Sequence, residues 1–422
     1  MILYLFVIVL ALILMFFAYV RIKFKFWAIQ PVMHVYDIKY WFWCKGIIQR
    51  ELPEKNKYCN FKAIDTIPFD KIGDIKTNQF VNLIQTNYLR ENENVFLPLN
   101  ENIIPYFVGH NSPSFWSFYW EDSLIQDIKQ NSIIKDKHLI GAITSRPLYV
   151  IIHNGNKNAK FSVYYVDYLC IDMNHRKKGI AQELIQTHEY NQSHLNLSIQ
   201  VSLFKREGEL TGIIPLCVYT TYAFSMKNWC KPTDLDGNVH LIQCGKENIH
   251  YLLPLLQKED IFEITIVPTI GNVLELIITE NIFVYMLLSD IDNEVIGAYF
   301  FRKSCTYIKK DAEALVCFAS ILTKDAKQSH ETQLRFIHGY KVALSQICER
   351  NVEKQTKLKN KNNNSQSFST YQYAVVEDIS SNNLIIANLI EKTSPLMMSP
   401  TAYFFYNFAY PTFKSNQVLI IN

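Results

Sequence analysis

The chain has 422 residues, of which 49% are hydrophobic and 14% aromatic. That is enough for two or more compact units around a large core, and it argues against disorder as the general state. A net charge of +3 gives no electrostatic case for a nucleic-acid partner.

The first 20 residues, MILYLFVIVLALILMFFAYV, carry no charge and are long enough to cross the hydrocarbon core of a bilayer. A cleaved signal peptide is the rival reading, but it should show a basic n-region and a shorter apolar run. Here the basic residues follow instead, at Arg21, Lys23 and Lys25. By the positive-inside rule this describes a single-pass membrane protein with the rest of the chain facing the cytosol. The nine cysteines are scattered and form no CxxC pair, so neither a zinc cage nor a disulfide framework is indicated. Free thiols in a reducing compartment agree with cytosolic placement.

After the aromatic stretch KFWAIQPV the pattern becomes mixed α/β. Residues 87–96 (NYLRENENVF) read as a helix end entering a polar loop, and 138–152 as strand, turn, strand. A further strand covers 164–171, and an amphipathic helix 181–189. This order returns in weaker form. LIGA at 139–142 recurs as VIGA at 295–298, followed by a strand at 313–321 and a helix at about 332–350, which suggests an internal duplication. Residues 351–367 (NVEKQTKLKNKNNNSQS) are low-complexity and expected to be disordered. The tail then returns to the strand patterns AYFFYNFAYP and QVLIIN.

The sharpest local feature is YVDYLCIDMNHRKKGIAQELI, residues 165–185. Its loop, Arg176-Lys177-Lys178-Gly179-Ile180-Ala181, leaves a strand and opens a helix. Helix N-termini present unpaired N–H groups and a partial positive charge. A glycine there lets a phosphate approach the backbone, and Arg and Lys add charge-assisted contacts, so a diphosphate is the natural ligand. The plain alternative is a solvated basic corner. The second copy has LTKDAKQSHETQ at this point and keeps no RxxGxA pattern, so one nucleotide site is expected.

RKKGIA fits the R/Q-x-x-G-x-G/A signature of the GNAT acyltransferase superfamily. More narrowly, VDYLCIDMNHRKKGIAQELI resembles the N-myristoyltransferase segment V-N-F-L-C-V-H-K-x-L-R-S-K-R-L-A-P-x-L-I. Three other stretches resemble that family in the same order. FWAIQPV at 26–32 matches F-W-x-x-Q-P-V, and 88–96 resembles Y-V-E-D-x-D-x-M-F. Residues 403–411, with the final QVLIIN, resemble Y-Y-L-Y-N-W-x-x-P and a terminal V-G-L-V-L-x. The resemblance thus runs from residue 25 to the end. It implies an α/β (α+β) fold of two fused GNAT-like halves, 21–230 for acyl-CoA and 231–422 for peptide, behind an anchor at 1–20. It also implies a membrane-anchored protein N-acyltransferase. A fatty acyl group, myristoyl in the family, would pass from acyl-CoA as co-substrate to an N-terminal glycine amine. No permanently bound cofactor, metal or nucleic acid is implied.

The same resemblance assigns site residues. The backbone N–H groups of Tyr168 and Leu169 would face the thioester oxyanion, and the terminal carboxylate of Asn422 would take the amine proton. The apolar run Val418-Leu419-Ile420-Ile421 supports burial of that carboxylate, which would make it a better base; a strand that merely closes a sheet is the alternative. Phe26 and Trp27 would pack against the CoA adenine end. Arg176, Lys177, Lys178, Gly179, Ile180 and Ala181 would hold the pyrophosphate. Tyr88, Glu91, Glu93, Phe96 and Asn407 fall on substrate-binding positions. Cys170, beside the oxyanion strand, reads as a small buried residue. The chain also departs from the family. Its Y-T-A-G stretch falls by a gapped match on Arg206-Glu207-Gly208-Glu209, Asn92 replaces a loop acid, and Gly179 replaces a bulkier residue. An acetyl-CoA-dependent GNAT N-acetyltransferase and a catalytically degenerate acyltransferase fold, kept as a membrane or structural protein, therefore stay open.

Overall fold

The computed structural model describes the chain except for residues 1, 44, 90–93, 128–131, 154–157, 209–211, 236–237, 258–260, 310–311 and 362–370. Helix α1 (Ile2–Lys23) is apolar all round, and every side chain from Tyr4 to Tyr19 is exposed. The fold leaves that surface uncovered, and the helix is long and apolar enough to cross a membrane.

Helix α2 (Asp74–Asn87) turns Phe80, Leu83 and Ile84 onto the sheet that follows. Three antiparallel strands open that sheet: β1 (Phe115–Asp127), β2 (Ser132–Ile152) and β3 (Ala159–Ile171). Helix α3 (Ile180–Leu195) crosses over to β4 (Ser202–Glu207), which lies parallel to β3. Strands β5 (Cys217–Ser225) and β6 (Ile264–Val267) follow. The first pattern is then repeated. Antiparallel β7 (Ile282–Ser289), β8 (Val295–Ile308) and β9 (Ala312–Leu322) lead through helix α4 (His330–Lys361) to β10 (Tyr373–Glu377), parallel to β9. Strands β11 (Met397–Tyr406) and β12 (Val418–Ile420) complete one mixed sheet of 15 strands among the described residues.

The expected duplication has a structural counterpart. Gly141 of LIGA pairs with Ile171 at the end of β3, and Gly297 of VIGA pairs with Leu322 at the end of β9. A Cβ on Gly141 would meet Leu184 of α3 at 3.0 Å, and one on Gly297 would meet Phe336 of α4 at 2.9 Å. Both glycines let the crossover helix pack down on the sheet. The two copies also interlock, because β11 lies between β4 and β5, and β5 pairs with β10.

Two expectations need correction. Residues 132–152 form one strand, without the turn expected within 138–152. On one edge β1 pairing stops at Ser145 and β6 pairing begins at Tyr149, so no neighbour on that edge faces Pro147, and proline is tolerated where no ladder bond is needed. Helix α4 also continues to Lys361, into the stretch expected to be disordered. Its Glu, Lys and Gln residues are good helix formers that extend an already nucleated helix.

Candidate active site

Strand β3 carries an irregularity where the oxyanion donors are expected. Thr144 pairs with Asp167 and Ala142 with Cys170, so Tyr168 and Leu169 together face Ile143 alone. Two residues opposite one form a β-bulge, and the ladder cannot pair both. Tyr168 is left-handed, with φ of 49°, and its N–H donates to the Asp167 carboxylate at 2.8 Å. Leu169 turns its side chain outward. Cys170 is buried, and burial pushes its thiol up to about 12, so it is no nucleophile.

Beside the bulge the sheet opens. Strands β3 and β4 pair only from Tyr164–Val166 to Ser202–Phe204, then continue apart to Ile171 and Glu207. A cavity of about 490 Å³ fills the opening. Tyr168, Leu169 and Lys205 line it from the strands, Ile185, His188 and Glu189 from α3, and Trp27, Phe404 and Tyr406 from the far side. Tyr88 and Phe96 are drawn in by an aromatic group: Tyr88 lies 5.8 Å from Tyr168 and 5.6 Å from Phe96. Trp27 stacks on Phe204 at 5.8 Å, and Phe26 is buried between Trp27 and Tyr58. Glu91 and Glu93 lie outside the described residues.

The basic loop starts α3 as its sequence suggests. Lys177 and Gly179 are left-handed, with φ of 65° and 86°, and Gly179 is the N-cap of α3. No side chain among the described residues caps that helix, so its first N–H groups remain available to a ligand. Ile180 is buried and holds the helix start on the core, with Ala181 partly buried beside it. Lys177 and Lys178 point outward. Arg176 instead folds back, with Nη2 donating to Asn87 O at 2.5 Å and Nε to Ile171 O at 3.3 Å. It therefore ties the loop to the end of α2. Asn407 does not join the cavity. It is left-handed, accepts from Gln49 N–H at 2.7 Å, and donates to Gln49 O and Gln200 O, both at 2.9 Å. Its contacts are those of a structural staple.

Asn422 is buried at the end of the sheet. Ile420 of β12 pairs with Ile266, which pairs with Val150 of β2. Its Nδ2 donates to Tyr403 Oη at 3.1 Å, while Arg302 Nη1 donates to its Oδ1 at 3.2 Å and its main-chain O at 3.4 Å. Asn422 does not line the cavity; a buried polar chain connects the two. Arg302 Nη2 meets Glu377 Oε1 at 2.8 Å, and Lys205, on the cavity wall, reaches the same oxygen at 3.1 Å. Tyr219 Oη donates to Glu377 Oε2 at 2.7 Å. Burial alone would raise the Glu377 carboxyl, but Lys205 and Arg302 outweigh it and hold it below its ordinary value. Arg146 is buried between the rings of Tyr106 and Tyr165, 4.9 and 5.1 Å from their centroids. Sequence reading missed Lys205, Arg302, Glu377, Arg146, His188 and Glu189. The available signal was a charge inside an apolar strand, as in FFRK and YAVVE.

No protein-family model matches the chain, and no curated protein matches it in sequence. Among solved structures the fold is that of two fused GNAT-like acyltransferase halves. More particularly, it is the fold of N-myristoyltransferase. The chain is similar to the Saccharomyces cerevisiae enzyme with bound myristoyl-CoA at a TM-score of 0.63 and 13% identity, over 93% of this chain and 94% of that one. A second structure of the yeast enzyme with myristoyl-CoA gives 0.64 and 13%, covering 93% and 90%. A third, with myristoyl-CoA and inhibitors, gives 0.64 and 14%, covering 93% and 91%.

Proposed function

We propose that the protein is a membrane-anchored N-acyltransferase that moves an acyl group from acyl-CoA to the N-terminal glycine amine of a protein. One observation carries the reading: the bulge at Tyr168–Leu169 lines a cavity whose other wall is α3, through Ile185, His188 and Glu189, the helix that left-handed Gly179 opens. It occurs in a fold shared with an enzyme solved with myristoyl-CoA. In this reading the pyrophosphate rests on the α3 N-terminus with Lys177 and Lys178, and the acyl chain enters the cavity.

The amine attacks the thioester carbonyl, the C–N bond forms, and the C–S bond breaks to release CoA thiolate. Each backbone N–H aimed at the developing oxyanion is worth ~3 kcal/mol. Leu169 N–H is the readier donor; Tyr168 N–H joins it once the Asp167 carboxylate lets go. The attacking amine must lose a proton, since an α-ammonium has a pKa of roughly 8. The proposed base is the main-chain carboxylate of Asn422, steadied by Arg302. One residue added after Asn422 should sharply reduce turnover; unchanged turnover would eliminate this base. A cavity of about 490 Å³ favours an acyl group longer than acetyl.

The decisive experiment is mass spectrometry of a glycine-initiated peptide library incubated with the protein and mixed acyl-CoAs. Acylated glycine amines are expected, and none with any acyl-CoA would end the proposal. Helix α1 is the proposed anchor, with the catalytic part in the cytosol. One acyl chain binds membranes only marginally, so release beside a bilayer favours retention of the product. Deleting residues 1–20 should reduce membrane recovery of a co-expressed acylated substrate.

A further inference from the structure

Beside α1 the folded body carries a second apolar group that nothing in the fold covers. Val35, Ile38, Trp41, Phe42 and Trp43 are all exposed, Phe42 by 75% and Trp43 by 78%. Single apolar residues on a surface are ordinary, but large ones crowded into one short segment mark an interaction surface. The segment is nevertheless fixed in place. His34 bridges to Ile213, and its N–H donates to the Asp37 carboxylate at 2.8 Å. A short helix, Ile38–Phe42, turns Tyr40 into the core with Met33 and Ala409. Ile38 and Phe42, four residues apart, share the opposite and outward face.

The end of α1 tells what covers this face. Tyr36 packs edge-on against Phe16 and Phe17 of α1, with ring centroids 6.2 and 5.7 Å away. Those phenylalanines lie inside the apolar span, on the membrane side of Tyr19, Arg21 and Lys23. Lys23 Nζ donates to Tyr19 Oη at 2.8 Å, and tyrosine and lysine at a helix end belong at the headgroup level. With α1 across a bilayer, Tyr36 stands at that level too, and the short helix begins two residues after it. The charges agree. Lys39 and Lys45 lie over the rings of Tyr40 and Tyr410, while Asp37 is engaged by the His34 N–H. Aromatic residues interleaved with lysines suit the lipid interface, and lysines favour its anionic headgroups.

We infer that residues 35–43 form a second membrane contact, an aromatic patch that seats in the headgroup region of the bilayer α1 crosses. The inference rests on the reading of α1 as an anchor and deepens it: the helix tethers the body, and the patch sets how the body lies. Trp27 of the cavity wall follows the last residue of α1 by four residues, at most about 14 Å of chain, so the cavity is held close to lipid.

The test is tryptophan fluorescence of the full-length protein in vesicles of brominated phosphatidylcholine and phosphatidylserine, against the same vesicles without bromine. Bromine on the lipid quenches rings that reach the bilayer, and α1 itself contains no tryptophan. The protein should be quenched, and Trp41→Phe with Trp43→Phe should lose most of that quenching while keeping the patch apolar. The other tryptophans, Trp27, Trp116, Trp120 and Trp229, are buried or half-buried. Absent quenching, or equal quenching in the double variant, overturns the inference; a second copy or another protein over the patch would give the former. Alkaline extraction of the same vesicles tests the anchor separately. Protein that resists alkali without the Trp41- and Trp43-dependent signal removes the patch and leaves the anchor. Protein released by alkali with unquenched tryptophans removes both.

Discussion

The two copies of the strand–loop–helix unit differ most where they are topologically equivalent. After β3 the chain leaves the helix start open, with Gly179 left-handed and no side chain among the described residues capping the first turn. After β9 the same place is filled by the chain itself. Residues Lys324–Gln328 form a short helix, Ala326 is buried, and Lys327 lies over the Phe262 ring at 5.2 Å. The bulges differ in the same way. In the first copy Leu169 is exposed beside a cavity; in the second the extra residue, Phe318, is buried and carries Arg302 over its ring at 4.6 Å. One scaffold thus leaves a cavity beside an uncapped helix terminus and an exposed bulge in one copy, and a packed core where aromatic and helical residues fill the same places in the other.

The largest expected effect is at the seam between the copies, where Glu377 serves Lys205 from one and Arg302 from the other. Glu377→Ala removes the shared carboxylate, leaving Arg302 without its buried ion pair and Lys205 with only the 3.7 Å contact to Glu207, and should destabilise the fold by about 3–5 kcal/mol in denaturant titrations. A loss typical of a surface substitution would show that the seam is held elsewhere. Next come the paired glycines. Gly297→Ala places a Cβ 2.7 Å from the Ile321 carbonyl oxygen, and backbone must shift, for about 1–3 kcal/mol. Gly141→Ala presses on the flexible end of Leu184 at 3.0 Å, with the Cys170 carbonyl oxygen no nearer than 3.4 Å, and should cost under about 1 kcal/mol. Equal losses at the two sites would break the distinction between a crowded and a yielding copy.

Glu189 gives the first copy a pH signature of its own. Burial raises its carboxyl to about 6, although Ser202, Ser193 and Gln192 partly oppose this. The folded state therefore holds the proton more tightly than the unfolded state. Its contribution is fully present below the unfolded value near 4.5 and is lost as pH rises through about 6. The change is roughly 2 kcal/mol, and Glu189→Gln should flatten that part of a stability-versus-pH curve. Gly179→Ala should cost about 1–2 kcal/mol of left-handed strain, with nothing nearer the new Cβ than Gln182 Oε1 at 3.9 Å. Acyl-CoA affinity should nonetheless fall about tenfold, equivalent to about 1.4 kcal/mol. Lys327→Ala, at the equivalent place in the second copy, should leave affinity unchanged.

Local patterns were legible where neighbours along the chain decide the outcome. The run from 164 to 189 read as strand, glycine corner and amphipathic helix, and it is β3, a left-handed Gly179 and α3. LIGA and VIGA pointed to a repeat because a close helix approach demands glycine in both copies. The turn expected within 138–152 does not form, and the strand runs through Pro147 because two other strands stop and start on either side of it. Asn407 was marked by resemblance alone, and its hydrogen bonds tie Gln49 to Gln200.

By itself, then, the order of residues determined which segments become strands and helices, because alternation, helical period and glycine conformations act over a few residues. It also carried the basic corner and the exposed apolar N-terminal helix. Only the tertiary structure decided that Lys205, Arg302, Glu377, Tyr403 and Asn422 share one buried chain, since they come from four strands and residue 422, brought together by long-range pairing. It also decided that His188 and Glu189 border a cavity. Both outcomes depend on sheet order and on where β3 and β4 part, and those are set by long-range pairing that no local pattern encodes.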